Sequence, residues 1–277
     1  MQDCRCISAD RAAFELQEGG RAVPEATFSI ALGYRGAAFC GFARQPGRLT
    51  VQGEVEHALS LMLRRPVEVV CAGRTDAGVH ARKQVVSVDV YASEVERLAS
   101  RRAVRSLNAL THDDIVVHEV RRRALGFSAR FDAVEREYRY RICTGDVPPL
   151  FAGDFAWFVS GSLDVGAMRA AAAHFIGERD YKSFCKAASA IDKPTCRYVS
   201  EVSLFEEDVM GELALVVRVV GNAFLHSMVR TMVGSLVMVG KGQRDPDWIE
   251  RALEARDRTA AGECAPAHGL VFWDVRY

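Results

Sequence analysis

Hydrophobic and polar positions along this chain switch repeatedly between a period of two and a period of about 3.6. Residues 27–34 alternate, with Phe28, Ile30 and Leu32 on one face, as in a half-buried strand. From Thr50 the apolar positions fall at Val51, Val55, Ala58, Leu59, Met62 and Leu63, which is helical spacing. Arg64 and Arg65 suit the C-terminal end of that helix, and Pro66 stops it. Residues 67–72 form a β-branched run, 73–78 a glycine-bracketed turn, and 84–90 alternate again through Val86, Val88 and Val90. Ser93 is placed to cap a helix reaching Leu107, and 115–120 read as a further strand.

The rest of the chain repeats this order. Residues 137–143 predict a strand, and 164–176 a helix with Val165, Met168, Ala172 and Phe175 inward. Strands are predicted at 197–205 and 212–220, and a strongly apolar helix at 223–239. Asp245-Pro246 opens a shorter helix, and 270–275 close as a strand. The order βαββαβ, met twice, predicts an α+β protein of two ferredoxin-like (RRM-like) units, with antiparallel sheets flanked by helices. The expected division is a poorly ordered tail at 1–26, where Gly19-Gly20 and Pro24 read as linker, then units at 27–125 and 126–277.

Composition narrows the function classes. No apolar run reaches the roughly 18–20 residues of a membrane-spanning helix, and residues 1–26 do not read as a secretory signal. A cytoplasmic protein is expected. The eight cysteines contain no Cys-x-x-Cys pair, and no histidine lies three to five residues from another. That spacing argues against a structural metal and for reduced, mostly buried thiols. The formal net charge is zero, which by itself does not point to nucleic acid. The distribution is uneven, however: residues 1–145 hold 22 Lys and Arg against 18 Asp and Glu. Arg44, Arg101, Arg102, Arg105 and the run Arg121-Arg122-Arg123 are the candidate phosphate contacts, although such a run also suits a solvated edge.

Phosphate-binding loops, dinucleotide glycine fingerprints and Gly-x-Ser-x-Gly elbows are absent from the sequence. Three segments carry what chemistry remains. GRTDAGVH at 73–80 follows a predicted strand, and its glycines let the loop present Asp76 into a cleft. Spacing alone fits equally an Asx-turn that Asp76 closes on its own backbone. FSARFDAVEREYRY at 127–140 puts Tyr138 and Tyr140 on one strand face, either as platforms for bases or as core residues. GNAFLHSMVRTMVG at 221–234 places Arg230 inside an apolar helical stretch. A guanidinium buried there needs a carboxylate partner, unless its side chain reaches the surface.

Together with ALGYRGAAFCGF at 31–42, the Gln52 helix start and AHGLVF at 267–272, these segments resemble the tRNA pseudouridine synthase A (TruA) family from Phe28 to Tyr277, in order. The resemblance implies that Asp76 is the essential aspartate and that Tyr138 stacks on the target base. It implies that Arg230 pairs with the aspartate, that Arg74 helps hold the nucleotide's site open, and that Leu270 lines the uracil pocket. It further implies isomerisation of uridine to pseudouridine at positions 38, 39 and 40 of the tRNA anticodon stem-loop, by a homodimer with a basic cleft and without metal or organic cofactor. Lys83 stands where the family usually has a small residue, and suggests an added phosphate contact. Two other readings share the element order: a non-catalytic RNA-binding module, and a synthase acting on other uridines. The first lacks the expected RNP1 pattern.

Overall fold

The computed structural model describes residues 23–191 and 193–277. Its strands are β1 (Ala26–Tyr34), β2 (Val70–Cys71), β3 (His80–Val90), β4 (Ile115–Arg123), β5 (Glu135–Gly145), β6 (Trp157–Ser160), β7 (Gly177–Asp180), β8 (Cys196–Val209), β9 (Glu212–Gly221) and β10 (Leu270–Arg276). Its helices are α1 (Val51–Leu63), α2 (Val95–Ala99), α3 (Ala103–Leu110), α4 (Val165–Ala173), α5 (Met228–Gly240) and α6 (Trp248–Ala255). The strands form one mainly antiparallel sheet in the order β4-β1-β3-β10-β5-β9-β8-β7, with β2 paired to β3 and β6 to β5.

The sequence predicts separate sheets, and here the structure differs. The C-terminal strand β10 lies between β3 and β5 and joins everything into a single sheet. It pairs antiparallel with β5, where Leu270 faces Tyr140 and Phe272 faces Tyr138. It also pairs parallel with β3 over Val271–His80 and Phe272–Ala81. The period-two pattern of one strand does not say which other strands it will meet. One contiguous core then runs under both halves, from Phe28, Ile30 and Leu59 to Tyr140, Val217 and Leu236.

Most elements fall where the hydrophobic pattern puts them, and the exceptions have local causes. The helix expected over 93–107 is two short helices. Ser100 is extended and its hydroxyl accepts the Arg102 N–H at 3.2 Å, while Ser93 sits inside a 3-10 turn. Only Val70 and Cys71 of the 67–72 run pair as strand. The helix expected over 223–239 begins at Met228, because Ser227 adopts a left-handed conformation at φ 60°. The preceding residues therefore form a loop, which bears on the site. The cysteines also differ from expectation. Of those described, Cys143 and Cys185 are buried, Cys40 and Cys71 half-buried, and Cys196 and Cys264 exposed. The tail expectation for 1–26 falls mainly on residues outside those described, and Ala26 already opens β1.

Candidate active site

The 73–80 loop is anchored from three sides. The Gly73 carbonyl accepts from Gln84 Nε2 at 2.6 Å, and the Thr75 hydroxyl is hydrogen-bonded to that of Tyr34 at 2.8 Å. The Thr75 carbonyl accepts the Phe42 N–H at 3.0 Å, and the Asp76 carbonyl accepts that of Val79 at 3.2 Å. Gly78 makes the return turn at φ 79°, a conformation that glycine adopts without steric cost.

So held, Asp76 turns its side chain toward the other half of the sheet and not back onto its own loop. Its Oδ2 accepts from Arg230 Nη1 and from the Ser227 hydroxyl, each at 2.9 Å. Its Oδ1 lies 3.2 Å from His226 Nε2. Arg230 also donates from Nε to the Ala265 carbonyl at 2.7 Å. The Asp76 and Arg230 side chains are 21% and 18% exposed. The carboxylate that Arg230 requires is thus Asp76, reached from the other half of the sheet.

Tyr138 stands on β5 beside this pair and is only 7% exposed. Phe224 and Phe272 pack edge-on against its ring, with centroids at 5.0 and 5.1 Å. Burial pushes its hydroxyl far above the usual phenol range, so it stays protonated at neutral pH. A side chain at Gly73 would come within 3.0 Å of the Phe272 ring and 3.5 Å of the Tyr138 hydroxyl, so glycine permits this packing. Asp76, Tyr138, Arg74, Arg230 and Leu270 all line one cleft of about 750 Å³. Cys71 lines it too, but burial pushes its thiol up to about 11, which removes it as a nucleophile at neutral pH.

At the wall of the cleft, Arg136 on β5 ties three segments together. It donates to the carbonyls of Ala72, Arg130, Ala133 and Asn222. Burial lowers its pKa from the usual arginine range. The cations that line the cleft are Arg74, Arg130, Arg136, Lys193, Arg197 and Arg230, and only Arg74 and Arg230 were singled out from the sequence. The expected phosphate contacts lie elsewhere. Arg44 pairs with Glu56 and Glu68, Arg121 with Glu119, and Lys83 with Asp274. Arg122 lies 4.0 Å from Glu25, and Arg123 donates to the Ser29 hydroxyl. Arg101, Arg102 and Arg105 are exposed and outside the cleft.

A family model described as tRNA pseudouridine synthase matches residues 171–277. The tRNA pseudouridine synthase A of Bacillus subtilis (strain 168) is 41% identical over 248 residues, 89% of this chain and 97% of that protein. That of Brevibacillus brevis (strain 47) is 42% identical over 89% of this chain and 97% of its own length. That of Exiguobacterium sibiricum is 40% identical over 90% and 96%. The chain belongs to the tRNA pseudouridine synthase A family. The family model spans the Arg230 and Leu270 side of the cleft, and the relatives extend the likeness over most of the chain that carries Asp76 and Tyr138. His226, Ser227 and Phe224 were read from the sequence only as part of a helix. The sole signal against that was two polar residues, His226 and Ser227, ahead of an apolar run.

Proposed function

We propose that this chain isomerises uridine to pseudouridine in tRNA, with Asp76 acting on the ribose of the target nucleotide. The observation that carries the reading is the Asp76–Arg230 pair, with Tyr138 beside it, inside one cleft of a chain of this family. In the reaction the glycosidic C1′–N1 bond breaks, the uracil turns, and C5 bonds to C1′. The C5 proton then leaves, and N1 gains one. Atoms and electrons balance without an external oxidant or reductant, so no cofactor is invoked. Asp76 serves by attack at C1′ or by removal of a sugar proton, and both demand a nucleotide turned out of its stack. Arg230 holds the carboxylate in place. Tyr138, held neutral, gives the detached uracil an aromatic surface rather than a base. Leu270 supplies apolar wall, and Arg74 stands exposed at the rim, where it helps hold the site open.

The proposed substrates are uridines 38, 39 and 40 of the anticodon stem-loop. The proposed assembly is a cytoplasmic homodimer in which the cleft is completed across two copies. No helix among the described residues is long and apolar enough to cross a membrane. The division at Gly126 into two ferredoxin-like units draws support from the strand order. In β4-β1-β3-β2 and in β10-β5-β9-β8, the last strand lies beside the first, then the third, then the second.

Tritium release from C5-labelled uridine in tRNA tests the reading, because only a synthase breaks that bond. Release, with pseudouridine mapped to 38–40, is the expected result. Release mapped to other uridines would move the substrate assignment. Tight tRNA binding without release would leave an RNA-binding module.

A further inference from the structure

Asp76 meets three groups from the far side of the cleft, and they do not share its two oxygens evenly. Oδ2 accepts two hydrogen bonds, from Ser227 and Arg230, each at 2.9 Å. Oδ1 faces His226 alone, whose side chain is 45% exposed. One bond from Arg230, with the half-exposed His226 at the other oxygen, would hold the carboxylate only loosely about Cβ–Cγ. A second donor at Oδ2 holds that oxygen firmly and leaves Oδ1 with His226.

The second donor comes at a conformational cost. Ser227 sits at φ 60° and ψ 11°, a region that few residues other than glycine adopt, Asn more readily than most. The strand-to-helix junction holds it there. Its carbonyl accepts from the Thr231 N–H at 3.0 Å and from the Thr231 hydroxyl at 3.1 Å. The Lys186 N–H donates to the His226 carbonyl, and the Met228 N–H to that of Leu225, again at 3.1 Å. A right-handed Ser227 would simply extend α5 by a residue and carry its hydroxyl along the helix surface. Local backbone strain maintained beside a reactive group, and repaid by a bond to that group, marks a residue kept for function.

We propose that Ser227 is a positioning residue of the isomerisation: its left-handed backbone aims the hydroxyl at Asp76 Oδ2, and with Arg230 it fixes the carboxylate so that Oδ1 is the reacting oxygen. This rests on Asp76 acting on the ribose. Ser227 touches no reacting atom, so its contribution is seen in kcat and not in tRNA affinity.

Three substitutions separate the hydroxyl from the backbone. Ser227→Gly relaxes the backbone and removes the donor. Ser227→Asn tolerates the left-handed conformation and restores a donor. Ser227→Ala removes the donor and keeps the strain. With enzyme in excess over C5-tritiated tRNA, Ser227→Gly should release tritium about 10- to 100-fold more slowly than wild type. Its tRNA affinity should be unchanged, and its denaturant midpoint no lower. Ser227→Asn should recover most of the rate. Ser227→Ala should be as slow as Gly and less stable. A Gly variant within about threefold of wild type, a barrier change of only about 0.65 kcal/mol, overturns the proposal, as does an Asn variant no faster than Gly. Asp76→Asn run in parallel keeps the two ideas apart. Turnover by that enzyme overturns the parent reading, whereas a silent Asp76→Asn beside a fully active Ser227→Gly overturns this inference alone.

Discussion

Two guanidiniums flank the same cleft and are satisfied in opposite ways. Arg136 donates only to backbone carbonyls: those of Ala72, Arg130, Ala133 and Asn222. Arg230 donates to one carbonyl, at Ala265, and to the Asp76 carboxylate. The first arrangement holds loops together through neutral acceptors, with no counter-charge in contact among the described residues. The second positions a charged group that the chemistry requires. Burial alone does not distinguish a functional arginine from a structural one. The nature of the acceptor does.

Removing each side chain should therefore break different things. Arg136→Met strips four carbonyls of their donor, at about 1–3 kcal/mol for each acceptor left buried. It should cost at least about 3 kcal/mol of stability, read as a lowered denaturant midpoint. A midpoint shifted by less than a quarter of that would show that the loops stand without the clamp. Arg230→Met should cost less stability, about 1–3 kcal/mol, since its pair is partly exposed. It should nevertheless lose at least about 100-fold in turnover. The double variant Asp76→Asn with Arg230→Met should regain stability but no activity, because it leaves no unpaired charge. Recovery of neither would mean that Arg230 acts mainly through Ala265.

Tyr138 sharpens the contrast at smaller scale. Tyr138→Phe keeps the ring and loses only the hydroxyl, whereas Tyr138→Ala loses both. Stacking worth about 1–3 kcal/mol per base predicts a loss of about 5- to 150-fold for Ala. Phe should stay within about tenfold of wild type. Equal inactivity in both, with tRNA binding intact, would make the hydroxyl a chemical participant.

Smaller again are the effects on binding. Arg130→Gln and Lys193→Gln, on the cleft, should each reduce the slope of log affinity against log salt by about 0.7 to 0.9. Arg44→Gln, whose charge is already met by Glu56 and Glu68, should leave the slope nearly unchanged. The reverse ranking would favour the arginines named from the sequence over those on the cleft.

The smallest expected effect is on stability against pH. Burial lowers the pKa of His80, whose Nδ1 accepts the Gly36 N–H at 3.0 Å. A histidine held neutral in the fold takes up its proton more readily when unfolded. Its contribution is complete above the unfolded value of about 6.5 and declines as pH falls from there toward the lower folded value. Denaturant midpoints between pH 7 and 5 should fall less steeply in His80→Asn than in wild type. Equal slopes would assign the acid sensitivity to other groups.

How much of this was legible beforehand depends on whether a feature is local. The alternation at 27–34 and the spacing from Val51 to Leu63 record which face is buried, so β1 and α1 fall where the pattern puts them. The pairing of β10 with β3 involves residues nearly two hundred positions apart, and nothing in either strand names the other. Arg230 was conspicuous because a cation in an apolar run requires an explanation. Arg136 was not, since it sits in a strand rich in alternating charges and its acceptors are carbonyls contributed by distant loops. Ser227 was hidden because serine carries no mark of a left-handed backbone, and the apolar residues after it extend a helical pattern backwards over the loop. The cations that line the cleft were not picked out for a related reason: local sequence shows a run of arginines but not which distant segments will wall the cleft.

The most direct test of the account is the single-turnover release of C5 tritium from tRNA by Asp76→Asn with enzyme in excess. This variant keeps the shape of the side chain and most of its hydrogen bonding, and the phosphate contacts that dominate affinity lie elsewhere. It should therefore bind tRNA about as well as wild type and release no tritium. Release within about tenfold of wild type, a barrier change of only about 1.4 kcal/mol, would contradict the account and leave Asp76 as a residue that merely shapes its loop.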